Sequence, residues 1–414
     1  MTRIFQQILL GILVSLYFFP FGFTFLPSSL NTKIFLAAFG IILFAVECIK
    51  ARQLTFNRMY FSIFFLVLLY CVVGYVSVDL NHTNDYTYAS YFISFFTWFF
   101  AAYTVIFIMK QHHVEVNFKL LTNYLLIVCL VQCVIALIMD NYIPIKVLVD
   151  SYIDQSTVAE TEFLNKVDRL YGIGAALDVA GTRFSIVLIA VVAVLSNDTK
   201  VKENSTQIVL YWMGFLLLAL LGNLISRTTT IGMALAVGSF IIFSGLARIR
   251  VETSTVRVWF ISLLTIFLVF ILANFLYRTD PYFHEQMRYG FEGFFNWIEK
   301  GEWRTDSTDK LNSQMWIWPD NLKTWIIGDG SWEYFGSDIG YCRFIFYNGI
   351  IGLSIFSLFF VANAIIGMIK FPNYKTYFVM LLCLGFIIWS KVPTDLFIIY
   401  ALYYFIDGEN KKLV

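Results

Sequence analysis

Two arginines in apolar surroundings are the first residues here that call for a chemical explanation. Arg183 follows Tyr171-Gly-Ile-Gly-Ala-Ala-Leu-Asp178-Val-Ala-Gly181-Thr182 and precedes a short apolar run to Leu195. That run cannot cross a bilayer alone, so a helix is expected to begin upstream, placing Asp178 and Arg183 about 10–20 Å along it. A guanidinium at such depth is normally paired, wetted or functional. Its planar fork suits phosphate, while a structural Asp178–Arg183 pair is the plainer alternative. Arg227 lies in the tight turn Asn223-Leu-Ile-Ser-Arg-Thr-Thr-Thr230 between two apolar runs. The hydroxyls of Ser226, Thr228, Thr229 and Thr230 stand at the next helix start, where free N–H groups favour an anion. Together Arg183 and Arg227 read as two halves of a diphosphate site. Alone, the turn reads as a cap with a snorkelling arginine.

The second group lies in Tyr277–Arg343, the longest polar interruption in the chain. Six of the ten tryptophans fall there (Trp297, Trp303, Trp316, Trp318, Trp325, Trp332), with His284, Arg288, Glu292, Arg304, Asp329 and Asp338. Long loops rich in large rings are more often functional lids than spacers, and such rings are normally spent on packing, on binding flat partners or on anchoring at a membrane interface. Phe283, Met287, Phe291, Phe294, Phe295 and Ile298 recur at helical spacing, while His284, Arg288, Glu292 and Asn296 step by four on the other face. This pattern predicts one amphipathic helix whose polar face meets a cleft or solvent. His284 is a candidate base. In Gly328-Asp329-Gly330 the glycines allow a tight turn that projects the carboxylate. Asp338 and Arg343 are spaced to pair across little more than one turn.

These residues must be positioned by membrane-crossing helices. The 414 residues are 59% hydrophobic and 14% charged, with mean hydropathy +0.73, too few charges to cover a water-facing surface. The class expected is an all-α, polytopic integral membrane protein forming one transmembrane domain, 1–414, with a large outer loop at 277–340. Apolar runs near 6–26, 33–49, 60–78, 89–109, 118–138, 173–195, 207–225, 229–247, 257–276, 341–369, 374–390 and 392–407 predict about twelve spans. Arg3, Lys50/Arg52/Arg58, Lys110/Lys119, Lys200/Lys202, Arg248/Arg250/Arg257, Lys370/Lys375 and Lys411/Lys412 fall on one side, against Lys33, Arg227 and Lys391 opposite. The positive-inside rule then makes both termini cytoplasmic and the loops 139–172 and 277–340 outward. The apolar run after Arg3 lacks a small-residue cleavage site and reads as a retained first span.

Several classes are disfavoured. A net charge of +1 gives no general case for nucleic acid, and no phosphate loop, dinucleotide fingerprint or DxD pair is present. The six cysteines lie in or beside apolar runs without CxxC spacing and read as small core residues. Chemistry supplied by cytoplasmic nucleotides is disfavoured, whereas a lipid-linked substrate at the outer face needs none of these motifs.

The run Trp325-Ile-Ile-Gly328-Asp329-Gly330, with Ser337-Asp338-Ile-Gly340-Tyr341-Cys-Arg343 and Asn348-Gly349-Ile-Ile-Gly352-Leu, resembles the last outer loop of bacterial O-antigen polymerases. Ser226-Arg227-Thr and Arg169-Leu-Tyr-Gly172 … Ala180-Gly181 … Arg183-Phe are similar to the same Wzy-type family. The likeness covers most of the chain in layout and only short stretches in residues. It implies a GT-C-like membrane glycosyltransferase that joins oligosaccharide repeat units carried on undecaprenyl diphosphate, without metal, nucleotide or other cofactor. It also implies lipopolysaccharide or related surface-polysaccharide synthesis in the bacterial inner membrane, with the bilayer and a chain-length regulator as partners and no nucleic acid.

By position, Arg183 and Arg227 match the family's outward arginines, and Asp338 and Arg343 its Ser-Asp…Gly…Arg segment. The candidate catalytic residues are Asp338, Asp329, His284 and Glu292; Arg343 and Arg288 join Arg183 and Arg227 as candidate diphosphate ligands. An O-antigen ligase, passing the glycan to a lipid core, shares the donor and layout. A polysaccharide or solute transporter is the main reading from another class, opposed by the absence of an internal repeat and by polar residues gathered in one loop rather than in broken helices. A structural membrane subunit without chemistry leaves the outward arginines unexplained.

Overall fold

The computed structural model describes residues 2–53, 58–156, 164, 169–245, 251–333 and 335–409. Arg248, Arg250, Lys411 and Lys412, used above for orientation, lie outside the described residues, as does most of 157–168. The helices in chain order are α1 (Thr2–Phe18), α2 (Thr32–Ala51), α3 (Arg58–Asn81), α4 (Tyr91–His112), α5 (Phe118–Asn141), α6 (Ile143–Tyr152), α7 (Leu177–Asn197), α8 (Thr199–Glu203) and α9 (Ser205–Ile225). They continue as α10 (Thr229–Phe243), α11 (Thr253–Thr279), α12 (Pro281–Gly290), α13 (Glu292–Lys300), α14 (Asp306–Gln314), α15 (Leu322–Ile327), α16 (Gly340–Lys370), α17 (Lys375–Trp389) and α18 (Phe397–Phe405). The described β-structure pairs Gly22–Phe23 with Ile153–Asp154, antiparallel.

Among the described residues, eight helices are long and apolar enough to cross a membrane: α2, α3, α4, α5, α7, α9, α11 and α16. The chain is a multi-pass, all-α membrane protein. The other four expected spans hold helices of 17, 15, 15 and 9 residues (α1, α10, α17, α18). The last is cut short at its start, where Thr394 and Asp395 are drawn into other bonds. Trp389 Nε1 donates to the Thr394 carbonyl at 2.8 Å, and Asp395 Oδ1 accepts from the Phe397 N–H at 2.8 Å.

The chain divides into two compact units, residues 1–35 with 108–303, and residues 36–107 with 304–414. The boundary at Trp303–Arg304 falls inside the expected outer loop. In the first unit α7 is the centre, almost wholly buried. Small residues let α10 lie against it: a Cβ at Gly232 would stand 2.2 Å from Ser185 Cβ, and one at Gly181 would stand 2.5 Å from Ser226 Oγ. α11 is the opposite case, mostly exposed apolar surface, as suits a helix turned to lipid.

In the second unit α16 is broken. Gly349 has φ 63° and ψ −171°, which no L side chain adopts comfortably, and a Cβ there would stand 2.2 Å from the Ile326 carbonyl oxygen. α15 and the loop after it fill the break. The N–H groups of Asp329 and Gly330 donate to the carbonyls of Phe346 and Tyr347 at 2.5 and 3.1 Å, and Ser77 Oγ donates to Tyr347 O at 2.8 Å. Asn81 Nδ2 donates to Gly328 O at 2.9 Å, and Thr83 Oγ1 to Gly330 O at 2.6 Å. The Phe346 and Tyr347 carbonyls at the break are thus satisfied inside the protein, as a span requires.

Candidate functional site

α7 starts at Leu177, after a turned approach bridged between Gly172 and Ala175, and not upstream as expected. Asp178 therefore lies in the first turn, and Arg183 about 9 Å along the axis. The Asp178 carboxylate accepts hydrogen bonds from Thr228 Oγ1 and, at 3.5 Å, from Ser226 Oγ. Thr229 Oγ1 donates to Gly222 O at 3.1 Å and Thr230 Oγ1 to Asn223 Oδ1 at 2.6 Å. All four hydroxyls of the Arg227 turn are engaged within the chain, and Asp178 takes the anion position beside the α10 start.

Arg183 faces the other way. Gly181 and Ser185, one turn apart, look at the 226–232 segment, and Arg183 is about 200° around the helix from Gly181. Its side chain reaches Gly174, donating from Nη1 to that carbonyl at 3.4 Å, and covers the Phe19 ring at 5.4 Å from the centroid. It is 8% exposed, and among the described residues no carboxylate pairs with it. The two halves expected of one diphosphate site are thus set on different faces of α7.

Arg227 instead meets the loop. Its Nη1 lies 2.6 Å from Glu292 Oε2, its Nε donates to Tyr289 O at 3.2 Å, and its plane covers the Tyr289 ring at 4.6 Å. The expected single amphipathic helix is two, α12 and α13, broken at Phe291 (φ −115°, ψ 29°), so the four-residue polar stripe does not run on through it. Arg288 bridges the break, forking onto Glu299 at 2.7 and 2.8 Å. Those hydrogen bonds hold the Glu299 carboxyl below its ordinary range and push Arg288 up. His284 is exposed, stacked on Tyr277 at 4.1 Å, with Nδ1 3.2 Å from the Tyr277 carbonyl oxygen.

In the second unit, Asp329 Oδ1 accepts from Thr324 Oγ1 at 2.5 Å. Its flanking glycines serve close backbone approach rather than projection: a Cβ at Gly328 (φ 80°) would stand 2.2 Å from the Tyr347 carbonyl oxygen. Asp338 is exposed and makes no hydrogen bond or ion pair among the described residues, so the expected pair with Arg343 does not form. Arg343 stacks on Trp332 at 4.0 Å and donates to its carbonyl at 2.9 Å.

No family model, curated protein or solved structure matches this chain.

The same unit holds polar groups the sequence reading passed over. Tyr91 donates to Asp395 Oδ2 at 2.8 Å, Tyr347 donates to Asp85 O at 2.5 Å, and the Trp332 N–H donates to Asp85 Oδ2 at 2.5 Å. Burial, with Asp395 next, pushes the Tyr88 hydroxyl well above its ordinary range. The Asn348 amide and the Tyr70 hydroxyl are buried beside each other at the break at Gly349, and among the described residues neither has a hydrogen-bond partner besides the other. Asn348-Gly349 was the available signal, an amide and a glycine inside an apolar run. Among the described residues no His, Cys, Asp and Glu side chains gather closely enough to hold a metal ion. Chemically, the first unit offers guanidinium groups to an anion, and in the second Asp338 is an exposed carboxylate without a hydrogen bond or ion pair among the described residues.

Proposed function

We propose that this chain is a glycosyltransferase that polymerises oligosaccharide repeat units carried on undecaprenyl diphosphate, at the outer face of the bacterial cytoplasmic membrane. In this reading it has twelve spans, cytoplasmic termini and an outer loop at 277–340, consistent with the resemblance to Wzy-type polymerases. One observation carries the proposal: Arg183, buried in a membrane-spanning helix, has a long bond to a carbonyl, a ring contact and the Tyr17 hydroxyl and Cys129 thiol near it, and among the described residues no carboxylate pairs with it. A buried cation is costly unless an anion completes it. The anion a membrane enzyme of this kind handles is the carrier diphosphate, and the guanidinium fork matches its oxygens.

The reaction needs no activation beyond what the donor brings. An acceptor hydroxyl oxygen bonds to the anomeric carbon of the donor sugar as the bond from that carbon to diphosphate oxygen breaks. The diphosphate leaves with the electron pair, and the hydroxyl proton passes to a base. Arg183 stabilises the charge on the leaving group. Among the four candidate bases, Asp338 is the one whose carboxylate is exposed and uncommitted among the described residues; Asp329 and Glu292 are engaged and His284 is stacked.

A transporter reading draws on the broken helix α16, since transporters bind substrates at such breaks. Here the freed carbonyls accept from Asp329, Gly330 and Ser77, which favours a closed structural joint. The test is Arg183→Ala in cells, with surface polymer read on a gel and protein by immunoblot. Loss of polymer at unchanged protein level is expected, with poor rescue by Arg183→Lys. Full polymer from Arg183→Ala overturns the proposal.

A further inference from the structure

The contact between Arg227 and Glu292 joins a loop helix to the end of a membrane span, and its parts differ in how firmly they are fixed. Below it the fit is tight: a Cβ at Gly290 would stand 2.9 Å from Leu224 Cδ2, so the end of α12 is seated on the end of α9. Above it the chain turns at Phe291, and α13 begins with Glu292 itself. From there α13 presents Phe294, Trp297 and Ile298 as exposed apolar surface. The Arg227 and Glu292 side chains are 21% and 23% exposed, so the ion pair is reachable from solvent. Of the five guanidinium donors, Glu292 and the Tyr289 carbonyl engage two nitrogens, Nη1 and Nε.

A carboxylate at 2.6 Å from an arginine nitrogen occupies the place a phosphate oxygen takes on the same fork. We infer that Glu292 is the resident stand-in for a diphosphate group at Arg227, so that a diphosphate displaces its carboxylate and releases α13 from the end of α9. This rests on the reading of the chain as acting on a lipid diphosphate, and it moves Glu292 from candidate base to internal competitor. Exchange is favourable because the incoming group brings more charge and more acceptors than one carboxylate. The Arg288–Glu299 fork keeps α12 and α13 together, so Glu292 is the joint that opens.

Full-length protein in nanodiscs is titrated with farnesyl diphosphate and, separately, with inorganic diphosphate. Binding is followed calorimetrically and deuterium uptake across 292–300 by mass spectrometry. Farnesyl diphosphate is expected to raise uptake in that segment; a response to it alone assigns the lipid-borne group, and a response to both assigns the diphosphate itself. Glu292→Gln is expected to show high uptake without ligand and to bind the probe roughly fivefold more tightly, the upper end for a partly exposed ion pair. Arg227→Ala is expected to show high uptake that no probe changes. Binding with unchanged uptake, or no tighter binding by Glu292→Gln, overturns the stand-in while leaving the proposed function in place. Failure of the unaltered protein to bind either probe overturns both.

Discussion

Gly328 and Gly349 hold the 322–330 segment in the break of α16, and replacing Gly328 by alanine tests that joint. Its φ of 80° and ψ of −179° belong to a region essentially reserved for glycine, and an L residue there costs about 1–3 kcal/mol. The added Cβ would meet the Tyr347 carbonyl oxygen at 2.2 Å, so the two backbones must part. Parting them loses the Asp329 N–H bond to Phe346 and the Gly330 N–H bond to Tyr347, each contributing about 1 kcal/mol. The expected loss is roughly 3–5 kcal/mol of local stability. Deuterium uptake in peptides covering 322–332 and 344–352 should therefore rise about 10²- to 10⁴-fold. Gly238→Ala in α10 is the control: a Cβ there meets nothing within 4 Å, and uptake in the same peptides should not change. Uptake in Gly328→Ala equal to that of the unaltered protein refutes the interlocked joint.

Other outcomes follow from the same geometry. A double-mutant cycle with Arg227→Ala and Glu292→Ala, read by thermal unfolding in detergent, should give a coupling of about 0.5–1 kcal/mol, as for a partly exposed pair; additive losses contradict the contact. Glu299, 42% exposed, is held by Arg288 below its ordinary value of 4.5. A depressed carboxyl contributes stability that is present above its unfolded value and lost as pH falls through the folded one. Deuterium uptake in 292–300 should thus stay flat down to about pH 5 and rise below 4.5, and Glu299→Gln should remove that pH dependence. His284→Ala should leave the polymer unchanged, because the ring is spent on Tyr277, whereas Asp338→Asn should abolish it at equal protein level.

The long apolar runs were legible because a bilayer sets helix length directly, and the eight long helices follow them closely. What failed to show was how helices end and break. Gly349 looks like any small residue in an apolar run, since its positive φ arises from α15 lying across it. The regular spacing of His284, Arg288 and Glu292 predicted a continuous helix, but spacing is blind to the Phe291 turn that the seating of Gly290 on Leu224 accompanies. Arg183 and Arg227 were visible as charges in the wrong place, and their partners were not: which face of α7 each neighbour meets depends on where the helix starts, six residues before Arg183. Flanking glycines predict a projected Asp329, whereas its carboxylate is held by Thr324, a contact that spacing does not reveal. Asp395, Tyr91 and Tyr88 passed unnoticed because their proximity joins segments some 300 residues apart in sequence.

The central claim is tested most directly with purified protein in proteoliposomes, supplied with undecaprenyl-diphosphate-linked repeat units and no nucleotide. The account predicts a ladder of products spaced by one repeat unit, with free undecaprenyl diphosphate released at each step, and no ladder from Arg183→Ala. Repeat units that stay single, that pass only to an added lipid core, or that cross the bilayer unjoined would contradict it.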